Sequence, residues 1–185
     1  IIASGASANV LHYTENNREC KDGDVILMDS GAEYVNYAAD LTRSIPVNGK
    51  FTKRQKDVYN AVLRVMKAAT KMLVVGNIIP KYHEEVGKLM EQELIGLGLL
   101  KAEDVKKQDP KQPLYKKYFM HGTSHHLGID VHDLGTRFAP IQPGMVFTCE
   151  PGIYIAAESI GVRIEDDVLI TATGNSVLSD CSREL

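Results

Sequence analysis

Gly23-Asp24-Val25-Ile26-Leu27-Met28-Asp29-Ser30-Gly31 and Gly144-Met145-Val146-Phe147-Thr148-Cys149-Glu150-Pro151-Gly152 align without a gap. Each begins with glycine, continues as an apolar run, reaches an acid at the sixth step and meets another glycine two residues on. A short apolar run closed by turn residues reads as a strand entering a turn. The likeness extends outward. A histidine precedes each acid, His12 by 17 residues and His132 by 18. A second acid follows on what should be the returning strand, Asp40 in the first copy and Glu165 in the second. The repeat therefore predicts two related β-hairpins, each carrying two acids.

The rest of the chain alternates between helix and strand signals, which makes the fold α+β. Residues 33–47 carry Tyr34, Val35, Tyr37, Ile45 and Val47 and are expected to form the first returning strand, with Pro46 at an edge or strand end. Thr52 with Gln55 three residues on is a capping box. Val58, Val62, Val65, Met66, Ala69, Met72 and Leu73 then recur at helical spacing and predict a helix over 53–74, stopped by Gly76. A second helix is expected over 81–95, carrying His83 and ended by Gly96 and Gly98. The lysine-rich stretch 101–118, with two prolines, reads as a solvated loop or short helix. Strand-like runs follow at 145–150, 152–156 and 162–170.

Composition bounds what such a chain can do. With 185 residues, 44% hydrophobic and 24% charged, it is one domain or a large piece of one, able to bury a core. A net charge of −3 lacks the basic footprint of a nucleic-acid binder. The apolar runs, such as Met72-Leu73-Val74-Val75, are too short to span a bilayer, and residues 1–20 do not pair a basic stretch with an apolar one, so no signal peptide is expected in them. Cys20, Cys149 and Cys181 form no disulfide or zinc framework; they read as reduced, buried thiols in a cytoplasmic setting. The chain opens at Ile1 without methionine, as if inside a larger protein.

The acids carry the chemistry. A carboxylate closing a buried strand must be paired, protonated or bound to metal. In Val162-Arg163-Ile164-Glu165, alternation puts Arg163 and Glu165 on one face. If the hairpins face each other, Asp29, Asp40, Glu150 and Glu165 converge. Two divalent cations would balance four carboxylates, whereas a bare cluster would drive their pKa values upward. The segment 121–132 packs His121, His125, His126 and His132 into twelve residues and offers a nitrogen ligand. An oxygen-rich site with one imidazole suits manganese, cobalt, zinc or iron. Walker-loop and nucleophile-elbow patterns are lacking, so phosphoryl transfer and serine hydrolysis have no support.

Five separated segments resemble the proline-specific aminopeptidases of the pita-bread metallopeptidase superfamily. They are His12-Tyr13-Thr14-Glu15-Asn16, Asp29-Ser30-Gly31 with Asp40-Leu41-Thr42-Arg43-Ser44, His121-Gly122-Thr123-Ser124-His125 with Asp130-Val131-His132-Asp133, Glu150-Pro151-Gly152, and Gly161-Val162-Arg163-Ile164-Glu165-Asp166. They stand in the family's order and cover nearly the whole chain. Serine at 124 is closer to aminopeptidase P than to prolidase. The resemblance implies two pseudo-symmetric halves, a curved antiparallel sheet and flanking helices.

By the same resemblance Asp29 binds one metal, His125 and Glu150 bind the other, and Asp40 and Glu165 bridge both, with manganese the first choice. The implied reaction is hydrolysis of the bond between an N-terminal residue and proline, with Glu150 accepting and passing on the proton. His121, His132 and His12 correspond to substrate-binding histidines. Arg163 corresponds to the arginine beside the bridging glutamate; His126 and His83 have no family role and are expected to be structural. The implied partner is a peptide with proline second, without nucleic acid or membrane. The earlier part of the fold, a separate N-terminal domain, a terminal helix and any homo-oligomer contacts are expected outside residues 1–185. Competing readings are a prolidase restricted to dipeptides, a non-catalytic peptide- or protein-binding relative, and a creatinase-like hydrolase; the last two branches lose the metal carboxylates that this chain retains.

Overall fold

In the computed structural model, which describes residues 1–184, the first repeat becomes the middle strand of a three-stranded antiparallel sheet. Its strands are β1 (Ile2–Ser4), β2 (Val25–Ser30) and, after a small hairpin, β5 (Leu41–Pro46). The continuous strand expected over 33–47 does not form. Val35 and Asn36 take positive φ angles of 52° and 66°, the backbone of a tight hairpin turn. Two short strands, β3 (Glu33–Tyr34) and β4 (Tyr37–Ala38), therefore close on each other, and only β5 returns along β2. β5 ends at Pro46, as the sequence predicts.

The second repeat supplies β6 (Val146–Cys149), followed by β7 (Gly152–Ile155), β8 (Ile160–Arg163), β9 (Asp166–Thr171) and β10 (Gly174–Val177). The run expected over 162–170 breaks at Ile164 and Glu165, because β8 pairs with β7 whereas β9 pairs with β6 and β10. Residues 123–127 run beside β6 as β1 runs beside β2. Glu150 N–H donates to the Thr123 carbonyl at 2.9 Å, and Asp29 N–H donates to the Ile1 carbonyl at 2.9 Å. The sequence repeat is thus a repeat of three-stranded units, and the histidine-rich segment is the counterpart of β1.

The two units meet along β5. Ser44 Oγ donates to the Arg163 carbonyl at 3.1 Å and accepts the Arg163 N–H at 3.2 Å. Glu165 N–H donates to the Thr42 carbonyl at 3.1 Å. Asp40 N–H donates to Asp167 Oδ2 at 3.2 Å. Residues 40, 42 and 44 thus face 167, 165 and 163 across an antiparallel seam.

Behind the strands lie α1 (Lys53–Met72) and α2 (Ile79–Gly96). Val58, Val62, Val65 and Met66 of α1, with Tyr82, Val86 and Met90 of α2, are buried in one core with Phe147, Ile153, Val162, Ile164 and Val168. α2 starts two residues earlier than its periodicity suggests because Pro80 sits in its first turn, where a missing N–H costs nothing. At the far end of α1, Asn175 Nδ2 donates to the Thr70 and Leu73 carbonyls at 2.6 and 2.8 Å, satisfying acceptors the helix leaves open. The lysine-rich stretch forms α3 (Ala102–Lys107) and a turn of 3-10 helix at Leu114–Lys117. Of the cysteines only Cys149 is buried; Cys20 and Cys181 are exposed, which corrects the expectation of three buried thiols. No helix among the described residues is long and apolar enough to cross a membrane.

The capping box ties α1 to the first unit. Thr52 N–H donates to Gln55 Oε1 at 2.9 Å, Gln55 N–H donates to Thr52 Oγ1 at 3.3 Å, and Gln55 Nε2 reaches the Gly23 carbonyl at 2.8 Å. Thr52→Ala should lower the unfolding free energy by about 1 kcal/mol, and Thr52→Ser by much less. Urea unfolding followed by circular dichroism measures both; equal values for the two variants would refute the hydroxyl's role.

Candidate metal centre

The seam ends in a cavity of about 450 Å3. His12, Asp29, Asp40, His121, His125, His132, Glu150, Arg163 and Glu165 all line it. Every residue singled out from the sequence for binding or catalysis is therefore brought to one place. Asp29 comes from β2, Glu150 from the turn after β6, and Asp40 and Glu165 from the residues just before β5 and β9.

Asp40, His125 and Glu165 form the tightest group, each offering one ligand atom within 4.8 Å of the others. Glu150 adjoins them, its Oε1 3.7 Å from His125 Nε2, which also lies 3.7 Å from Asp40 Oδ2. His125 Nδ1 bonds the His126 carbonyl at 2.9 Å. A carbonyl only accepts, so the proton sits on Nδ1, and in the neutral ring Nε2 presents a lone pair to the acids. Asp29 is paired with Arg163, whose guanidinium also donates to Tyr154 Oη at 2.8 Å and Thr42 Oγ1 at 3.2 Å. Arg163 stands beside Glu165, its Nε 4.0 Å from Oε2, and is closer still to Asp29.

Burial and mutual repulsion shape the electrostatics. Burial, with Glu165 beside it, pushes Glu150 up to about 8. Burial and Asp40 push Glu165 up to about 8 despite the Thr42 hydroxyl that donates to it at 2.6 Å. Asp29 is raised, chiefly by burial and against the opposing pull of Arg163. Asp40 is lowered, because the contacts with His125, Asp29 and Arg163 outweigh its burial. His125 is raised: burial opposes its protonation, but the neighbouring acids win. This donor set fits divalent cations: four carboxylates and one imidazole lone pair converge, with the Arg163 guanidinium in contact with them.

His121 lies 3.6 Å from Glu150 Oε2 through its Nδ1, which bonds the Gly122 carbonyl at 2.8 Å. Nδ1 thus carries the proton, and Nε2 accepts from the Tyr154 hydroxyl at 2.8 Å. Burial drives His121 down to about 4, so the ring is neutral at pH 7. His132 and His12 are exposed on the cavity rim, with the His132 ring centre 4.3 Å from that of His125. His126 packs on Phe147 and also lines the cavity, and His83 bonds Thr123 Oγ1 at 2.8 Å.

Tyr154, Thr42, Asp167 and Arg137 were not singled out from the sequence. Tyr154 sits in an apolar strand and reads as core. Thr42 had a signal, since it shares a strand face with Asp40 by two-residue alternation. Arg137 lines the cavity from an exposed loop, where nothing distinguishes it from other surface cations.

A model of metallopeptidase family M24 matches residues 1–172. A Haemophilus influenzae Xaa-Pro aminopeptidase is 44% identical over 97% of the chain, and the match covers 44% of that protein. A Rattus norvegicus Xaa-Pro aminopeptidase 3 is 40% identical over the whole chain and 38% of its own length. The structure of Escherichia coli aminopeptidase P with the inhibitor Pro-Leu superposes with a TM-score of 0.89 at 42% identity, covering 97% of this chain and 43% of that one. The chain thus spans less than half the length of these relatives.

Metal should abolish the fall in stability with rising pH. In the metal-free protein the folded state holds Glu150 and Glu165 protonated up to about 8, against 4.5 when unfolded. The folded state then binds more protons across that window, so stability should fall as pH rises from about 4.5 to 8. Saturating Mn2+ should remove the fall and release protons on binding at pH 7. Melting temperatures across pH and calorimetry in two buffers check this; a flat metal-free profile with no proton release would contradict it.

Proposed function

The chain belongs to metallopeptidase family M24 and has its pita-bread fold, and from that premise we propose that it removes the N-terminal residue from peptides with proline in second position. One observation carries the reading: Asp29, Asp40, Glu150 and Glu165 meet the free Nε2 of His125 on the wall of a single cavity. Asp40 and Glu165 would be shared by two divalent cations, with Asp29 on one and His125 and Glu150 on the other. Bound there, such a pair supplies Lewis-acid chemistry, polarising a carbonyl and acidifying a water molecule. Manganese is our first assignment, with cobalt, zinc and iron as alternatives.

The chain's own groups then divide the work. The Glu150 carboxylate takes a proton from the attacking water and returns it to the proline nitrogen as the C–N bond breaks. His132 and His12, on the rim, bind substrate and steady the developing oxyanion through ring N–H groups. His121 keeps its proton on Nδ1, where the Gly122 carbonyl accepts it beside Glu150, and its Nε2 accepts from the Tyr154 hydroxyl. Arg163 orients Asp29 and supplies charge that no proton transfer can remove. Exposed free thiols at Cys20 and Cys181 support our placement in a reducing, cytoplasmic compartment.

An Xaa-Pro-Yaa tripeptide should be cleaved after its first residue by the Mn2+-loaded protein. Cleavage confined to Xaa-Pro dipeptides would replace this reading with a prolidase. Asp40→Ala and Glu165→Ala should each abolish turnover and lower Mn2+ content as measured by elemental analysis; near-normal activity in either would remove the bridging assignment. His132→Ala should retain its metal while kcat falls on the order of 100-fold. Loss of metal from that variant would instead make His132 a ligand.

A further inference from the structure

Asp167 is a buried acid beside the metal-ligand group, 8% exposed. Its neighbour Asp166 is ion-paired with Arg43 at 2.7 Å and Arg183 at 3.1 Å. Asp167 has no such cation among the described residues, and its Oδ1 is buried without a hydrogen-bond partner. A buried carboxylate so poorly compensated is costly where an apolar side chain would pack.

Its one side-chain bond falls on the last rung of the seam. Ser44 meets Arg163 and Thr42 meets Glu165, but the main chain of Asp167 is committed elsewhere. It pairs opposite Thr148 in the β6–β9 ladder, and its carbonyl accepts the Leu178 N–H at 2.9 Å. The side chain completes the rung instead, with Oδ2 taking the Asp40 N–H at 3.2 Å. On the other side, Ala39 N–H is held by the Ala32 carbonyl at 2.9 Å. The peptide that presents the Asp40 carboxylate is thus clamped between Ala32 and Asp167.

We propose that Asp167 is a positioning residue for the metal pair: its carboxylate oxygen fixes the Asp40 main chain so that Asp40 and Glu165 face the same two cations. This rests on Asp40 and Glu165 being shared ligands. Asp167 does not line the cavity that holds the ligands; it acts on Asp40 through the Oδ2 that takes the Asp40 N–H.

The test titrates Mn2+ into the metal-stripped protein, read by calorimetry and by the exchange-coupled electron paramagnetic resonance signal of paired Mn2+. Metal-free melting and circular dichroism control for folding. Wild type should take up two ions per chain and give the coupled signal. Asp167→Asn keeps a carbonyl oxygen for the Asp40 N–H and should behave like wild type. Asp167→Ala and the apolar, similarly sized Asp167→Leu should fold but bind roughly 10- to 100-fold more weakly, with the coupled signal diminished. If wild type does not bind a pair of ions, the shared-ligand reading falls and the proposal falls with it. If wild type does and the Ala and Leu variants match it, the proposal alone is overturned. It is also overturned if Asp167→Asn is as weak as Asp167→Ala, which would make charge the determinant, or if neither Ala nor Leu folds, which would make Asp167 a prop of the sheet.

Discussion

Four carboxylates drawn into one cavity need positive charge to remain ionised there, and this requirement organises the site. The cavity's own supply at its floor is Arg163, fixed on Asp29, and His125, whose protonation the acids favour. Together these offset at most half of four negative charges. The shortfall shows in Glu150 and Glu165, whose protons are held to about 8. Divalent cations remove the shortfall without protons and leave both glutamates free to act as ligands or bases.

Placing four acids so close takes two strand systems, because one strand presents acids on a face only every second residue, about 6–7 Å apart. The repeat solves this by duplication. Each three-stranded unit contributes one acid at the end of its first repeat strand and another just before the strand that returns. The seam brings the two sets together. Residues 40, 42 and 44 and residues 163, 165 and 167 are two alternating rows, so nearly every side chain that must touch across the join is polar. Thr42 shows the economy of this arrangement: one hydroxyl donates to Glu165 and accepts from Arg163.

Much of this was legible in the sequence because it is local or periodic. The gapless alignment of 23–31 with 144–152 located both acid-bearing strands, and alternation in Val162-Arg163-Ile164-Glu165 put Arg163 and Glu165 on one side. The helix over 53–74 was legible from Thr52, Gln55 and its apolar spacing. What was not legible depends on tertiary partners. Tyr154 reads as a core aromatic until Arg163 and His121 are known to meet its hydroxyl. Asp167 is one more acid in Glu165-Asp166-Asp167 until the seam shows that Asp166 meets arginines and Asp167 meets a main-chain N–H. The hairpin at 33–38 was missed because it places Val35, a β-branched residue that disfavours positive φ, in a turn.

The cavity is stiff at its floor and looser at its rim, which suits the different tasks there. Asp29, Asp40, Glu150 and Glu165 belong to strands or their immediate ends, held by backbone rungs, and His125 sits on a segment zipped to β6. Metal coordination tolerates errors of only tenths of an ångström, so ligands belong on such elements. His12, His132 and Arg137 project from loops. Of these, the His132 loop is the more firmly braced. Asp133 accepts the Ile129 N–H at 3.1 Å and the Leu134 N–H at 2.8 Å, while its own N–H donates to the His126 carbonyl at 3.0 Å. That carbonyl also accepts from His125 Nδ1, so the loop presenting His132 and the ring presenting Nε2 to the acids share one anchor. Gly128 permits this closure, because a Cβ there would lie 1.9 Å from Asp133 Oδ2. A displacement of the rim at Asp133 would therefore reach the metal side of the cavity through the His126 carbonyl.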